Sequence, residues 1–169
     1  MQTIRWTSFD SPIGTVYLAS TKKGVCSVTI PASTRADFIS WLRKHFAGWE
    51  LVESRKGNEK MMGELKRYFE GKLTRFKSKL DPRGTPFQRK VWSQLRKIPY
   101  GTTITYKQLA QRVKSPAGFQ AVGRANATNP LPIVIPCHRV VGSDDDLVGY
   151  GAGIKTKEYL LRLEGALML

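Results

Sequence analysis

Residues 102–127 read TTITYKQLAQRVKSPAGFQAVGRANA, and their pattern decides the architecture of the second half of the chain. Residues 102–105 suit a short extended segment. From Tyr106 to Val113 the apolar residues Leu109, Ala110 and Val113 return at helical spacing and face inward. Ser115-Pro116-Ala117-Gly118 breaks that helix, and a second short helix runs from about Phe119 to Ala127. Two short helices across a tight break predict a helix-turn-helix. In the second, Ala121, Gly123, Ala125 and Ala127 recur at alternate positions and spread small side chains around the surface. So bare a helix fits closely against a neighbouring helix on one face and against another molecule on a different one.

Upstream, Thr85 suits an N-cap and Pro86 the first helical position, with Phe87, Val91 and Leu95 following along one face of a helix that stops before Pro99. Residues 72–83 are basic, contain Pro82 and show no clear periodicity, which suits a connection between domains. The first half reads differently. Strands are expected at 3–9, 15–19 and 25–30, separated by turns at 11–14 and 22–24, as an antiparallel meander. A helix over 34–46, capped by Ser33 or Thr34, presents Phe38, Trp41, Leu42 and Phe46 to that sheet, and a second helix is expected over 58–70, ended by Gly71. The domains expected are therefore an α/β unit over 1–80 and a mainly helical unit over 85–169.

The chain has 169 residues, 41% of them hydrophobic, which is enough for two small cores. Lysine and arginine number 28 against 13 acidic residues, a formal charge of +15 that favours a polyanionic partner. Nine of the basic residues (Arg89, Lys90, Arg96, Lys97, Lys107, Arg112, Lys114, Arg124 and Arg139) lie between Pro86 and Ser143, a stretch with no acidic residue. That stretch is expected to carry the anion-binding surface, with nucleic acid as its partner. No long apolar span, signal-peptide core or lipidation signal is visible, so no membrane partner and a cytoplasmic location are expected. Two cysteines, Cys26 and Cys137, suggest no disulfide framework, and with His45 and His138 they show no metal-ligand spacing. Neither a metal nor a cofactor is expected.

Chemistry centres on Ile133-Val134-Ile135-Pro136-Cys137-His138-Arg139-Val140-Val141, where a thiol and an imidazole sit in an apolar run. The thiolate is the reactive form of cysteine and forms when a base or positive charge stands near. Consecutive side chains diverge on helix and strand alike, so a water between Cys137 and His138 is a more natural relay than direct contact. Taken alone, the dipeptide reads more readily as a buried small residue beside a satisfied core histidine, so it carries little by itself.

The segment Pro136-Cys137-His138-Arg139-Val140 resembles the active-site motif of the O6-alkylguanine-DNA alkyltransferases. In the same order stand FQRKVWSQLRKIPYG at 87–101, TYKQLA at 105–110, AVG at 121–123, Asn129-Pro130, GYGAG at 149–153 and KEYLLRLEG at 157–165. This resemblance covers the last half of the chain closely and the first half only as an α/β domain. It implies a ribonuclease H-like α/β domain followed by a helical domain with a winged helix-turn-helix-like DNA-binding unit.

Carried over by position, the resemblance makes Cys137 the alkyl acceptor, His138 its base through a water, and Glu164 the group that orients His138 and stabilises its positive form. Tyr106 would donate to guanine N3, and the backbone carbonyls of Cys137 and Val140 would accept from the exocyclic amine. Tyr150 would line the base pocket, Gly151 would offer a backbone N–H near O6, and Asn129 would tie the recognition helix to the active-site segment. Gln120, Ala121, Gly123 and Arg124, with Lys107 and Ser115, would meet DNA in the minor groove, with the damaged nucleotide flipped out. At Gln120 most of the family carries an arginine that fills the vacated space; glutamine is shorter and uncharged but still donates and accepts.

The implied partner is double-stranded DNA containing O6-alkylguanine, with O4-alkylthymine open to the same chemistry, met by a monomer located at the nucleoid if the source is prokaryotic. Two alternatives remain at this point: a lesion-binding relative without chemistry, which would lack Cys137, and a cysteine–histidine hydrolase, which would need an oxyanion hole and many turnovers.

Overall fold

Runs rich in β-branched and aromatic residues build three strands, β1 (Thr3–Ser11), β2 (Gly14–Thr21) and β3 (Gly24–Val28), paired antiparallel in chain order. The computed structural model describes residues 2–31, 33–114, 118–147 and 153–167, and the chain divides into units 1–82 and 83–169. In the first unit, Ile4, Trp6, Ala19 and Cys26 form one core with Phe38 and Leu42 of α1 (Arg35–His45) and with Phe46 just beyond it. Thr34 caps α1 through a reciprocal pair with Asp37, its hydroxyl accepting from the Asp37 N–H at 3.1 Å.

A fourth strand, β4 (Glu50–Glu53), lies parallel to β1 and makes the sheet mixed, in the order β3-β2-β1-β4. The sequence reading places no strand there. ELVE offers only the half-buried Leu51 and Val52 between glutamates, a composition suited to an edge.

Helix α2 (Glu59–Phe69) buries Met61, Met62, Leu65, Tyr68 and Phe69, and also Glu64. The Glu64 carboxylate accepts from the Lys77 N–H at 2.7 Å, from the Ser78 N–H at 3.1 Å and from the Ser78 hydroxyl. This corrects the reading of 72–83 as a connection. The segment is fastened to its own unit: the Val25 N–H donates to the Lys79 carbonyl at 2.9 Å and the Asp81 N–H to the Val25 carbonyl at 2.7 Å. Gly24 permits the approach, since a Cβ there would stand 2.6 Å from the Lys79 oxygen.

In the second unit, Thr85 and Gln88 cap α3 (Pro86–Leu95), with proline in the first turn, and the helix buries Val91, Trp92 and Leu95. The same device recurs at α4 (Tyr106–Val113), where Thr105 and Gln108 form the capping box. Its C-cap, Lys114, is left-handed at φ 52°, and the next helix is α5 (Phe119–Ala127). The indole N–H of Trp92 donates to the Ala125 carbonyl at 2.8 Å, fixing α5 on α3. Ala125 is therefore a packing residue, while Ala121 and Gly123 are half-exposed and Ala127 is exposed. Strand β5 (Ile104–Thr105) pairs in parallel with β6 (Val140–Val141), and α6 (Ile154–Leu163) closes the unit. Among the described residues no helix is long and apolar enough to cross a membrane.

Candidate active site

Residues 130–141 are buried without a break, an unusual state for a segment with so little regular structure. Asn129 organises its start, accepting from the Leu131 N–H at 2.9 Å and donating to the Ile135 carbonyl at 2.7 Å. The turn between those residues forces Ile133 to φ 75°, a conformation costly for a β-branched side chain. A short 3-10 turn, Cys137–Arg139, follows and leads into β6. The β5–β6 register sets Ile104 against Val140 and Thr105 against Val141, so Tyr106, the first residue of α4, starts beside the cysteine segment.

Cys137 is 5% exposed and His138 fully buried. The His138 Nε2 lies 2.7 Å from the Glu164 Oε2, and Glu164 is the C-cap of α6. A carboxylate at that end of a helix is disfavoured by the helix dipole. Arg139 offsets the cost, its Nε donating to Glu164 Oε1 at 2.8 Å and its second terminal nitrogen to Oε2 at 3.1 Å. The remaining guanidinium nitrogen donates to the Ile98 carbonyl at 2.7 Å.

Burial would raise the Glu164 carboxyl, but the hydrogen bonds and charge of His138 and Arg139 prevail and hold it at about 2. For His138 burial is the largest influence and pushes the imidazole below its ordinary range, against the pull of Glu164. At neutral pH the ring is therefore uncharged, with its Nε2–H donating to Glu164. The other ring nitrogen, Nδ1, is buried and has no hydrogen-bond partner among the described residues. In that tautomer Nδ1 carries a lone pair, the requirement for a base.

Lys157 completes the cluster. Fully buried on α6, it donates from Nζ to the Val140 carbonyl at 2.6 Å and stands 5.9 Å from the centre of the Tyr106 ring. Burial lowers its ammonium to about 8, while the nearby Cys137 acts in the opposite direction. Tyr106 is raised, first by burial and then by Cys137, with the Asn126 amide opposing through a 3.4 Å hydrogen bond to the phenol oxygen. The Cys137 carbonyl accepts from the Val140 N–H and the Val140 carbonyl from Lys157.

Of the residues singled out in the sequence, Cys137, His138, Glu164 and Val140 thus share one buried cluster with the half-buried Tyr106 at its side and Asn129 at the root of its loop. Gln120, Arg124 and Lys107 are exposed on α5 and α4, and Ala121 and Gly123 are half-exposed on α5. Ser115, Tyr150 and Gly151 lie outside the described residues. Eight of the nine cations of the basic stretch are exposed; Arg139, at 6% exposure, belongs to the interior and not to an anion-binding surface. Arg139, Lys157 and Asn126 are the site residues that sequence reasoning missed. A signal existed for Lys157, because it falls with Leu160, Leu161 and Glu164 at the i, i+3, i+4 and i+7 positions of one helical face.

Two family signatures match the chain: 6-O-methylguanine DNA methyltransferase, ribonuclease-like domain, over residues 4–82, and the DNA binding domain of the same family over residues 86–166. A methylated-DNA--protein-cysteine methyltransferase from Methanosarcina barkeri is 43% identical across 92% of this chain and 93% of its own length. The crystal structure of a Mycobacterium tuberculosis O6-methylguanine methyltransferase superimposes with a TM-score of 0.81 at 37% identity, covering 96% of this chain and 93% of that one. A structure of the Mycobacterium tuberculosis protein in complex with DNA matches with the same score and coverage at 36% identity.

Proposed function

The chain belongs to the 6-O-methylguanine DNA methyltransferase family, and from that membership we propose that it repairs O6-alkylguanine in double-stranded DNA by moving the alkyl group to Cys137. The observation that carries the assignment of residues is the buried relay beside the thiol: an uncharged His138 anchored by Glu164, with a lone pair left on Nδ1. Through one water, Nδ1 takes the thiol proton, and the Lys157 ammonium stabilises the thiolate that results. The sulfur then attacks the alkyl carbon. An S–C bond forms, the C–O6 bond breaks, and its electron pair stays with the base.

Tyr106 donates its phenolic proton to guanine N3, so the base departs neutral, and the proton held by His138 restores the phenol through solvent. The Cys137 and Val140 carbonyls receive the exocyclic amine. Because a thioether is a poor leaving group, each molecule acts once.

Cys137 is too enclosed to reach a base stacked in a duplex, so the nucleotide must turn out of the helix. In this reading a monomer meets cytoplasmic DNA with α5 in the minor groove, and phosphates are neutralised by the exposed cations of α3, α4 and α5. The test is transfer of radiolabelled methyl from an O6-methylguanine duplex to protein. A stoichiometric end-point near one label per molecule is expected. Continued turnover would indicate the hydrolase, and binding without label would indicate a lesion-binding protein.

A further inference from the structure

We propose that Phe119 is an aromatic wedge that enters the base stack beside the lesion and holds open the space left by the extrahelical nucleotide. At 55% exposure it is the most exposed large apolar side chain among the described residues. A single exposed phenylalanine is unremarkable by itself; its position gives it meaning. Phe119 is the first residue of α5, followed by the exposed Gln120, while Val122, Ala125 and Asn126 turn to the interior. One turn along its face comes Gly123, where an added Cβ would meet nothing within 4 Å. The ring therefore has no side chain at that position to fold onto and stands at the head of a bare helical face.

Lys107, Arg112, Lys114 and Arg124 are exposed on the same pair of helices and their junction, which matches that pair to a polyanion. The inference rests on the proposed function, because the buried thiol requires a nucleotide to leave the stack. Lost stacking must be replaced for the extruded state to persist. An aromatic face offers that to any neighbouring base, and apolar wedges of this kind serve proteins that open the minor groove. Phe119 and Gln120 would divide the work, the ring stacking on a flanking base pair and the amide bonding the orphaned partner base.

The test compares wild type, Phe119→Ala, Phe119→Leu and Phe119→Trp in single-turnover reactions with three substrates: an O6-methylguanine duplex, the same strand unpaired, and free O6-benzylguanine. Phe119→Ala is expected to slow the duplex reaction about tenfold, the single-strand reaction less, and the free base not at all. Tryptophan should restore the duplex rate and leucine only part of it. With 2-aminopurine beside the lesion, the fluorescence rise on binding should shrink in Phe119→Ala. A wild-type duplex rate in Phe119→Ala would overturn the wedge, as would equal slowing with all three substrates. Failure of the wild-type protein to take label from any substrate would instead overturn the function on which the wedge rests.

Discussion

The two cysteines are buried almost equally, Cys26 at 1% and Cys137 at 5% exposure, yet their surroundings differ in kind. Cys26 sits in the sheet core with Ile4, Trp6, Phe38 and Leu42, its thiol 3.4 Å from the Ala19 carbonyl. Cys137 sits among Lys157, Tyr106 and His138, backed by the ion pair of Arg139 and Glu164. Burial alone thus says nothing about reactivity. An apolar shell disfavours the thiolate, whereas a buried cation and a base beside the sulfur favour it.

The sharpest way to break this comparison is to remove each thiol in turn. Cys137→Ala should lose transfer completely while still binding alkylated duplex, and Cys26→Ala should keep a full stoichiometric end-point with a stability loss of about 1 kcal/mol. Labelled-methyl transfer and denaturant unfolding measure the two. Next in size is Glu164→Gln. With Arg139 stranded and His138 unanchored, unfolding free energy should fall by about 3–5 kcal/mol and transfer should slow about a hundredfold. Adding Arg139→Met should recover stability but not rate, and recovery of both would show that the carboxylate serves only folding.

Lys157→Met should slow alkylation by free O6-benzylguanine about tenfold near neutral pH. The deficit should narrow as rising pH ionises the thiol without help. A deficit independent of pH would remove Lys157 from the chemistry. The smallest effect is the pH dependence of the wild type. Since His138 is depressed below its ordinary 6.5, the ring is still an uncharged base at that pH, so the rate attributable to the relay should hold through 6.5 and fall only in stronger acid. Stability carries the same sign. It declines below 6.5, where the unfolded imidazole takes a proton that the buried one resists, and it declines again from 4.5 toward about 2 as Glu164 is protonated. Thermal melts across that range check both steps.

What was legible in the sequence was local. Thr85-Pro86, Thr105-Tyr106 and the Thr34 cap announce helix starts because a capping box is contained within four residues. β4 escaped notice because an edge strand of four residues has no face to alternate. The fastening of 77–81 escaped because backbone groups make it, held by one buried carboxylate and by strand β3. In the site, the cysteine motif pointed to Cys137 and His138 and the family resemblance to Glu164, but counting charges treats every arginine as solvated. Only the fold distinguishes Arg139, enclosed by Glu164 and the Ile98 carbonyl, from Arg124 on the surface.

The fork between Arg139 and Glu164 also limits how this sequence is able to drift. A well-packed uncharged pair of similar volume is often no less stable than a buried ion pair, whereas a single exchange strands a charge where water is shut out. The present pair and an uncharged alternative that still accepts from His138 are therefore two high points separated by a valley. One-codon changes lead down into it from either side. A library of single substitutions around Cys137 would return Arg139 and Glu164 unaltered even if a quite different couple could support the same backbone, and only paired randomisation of both positions would reveal it.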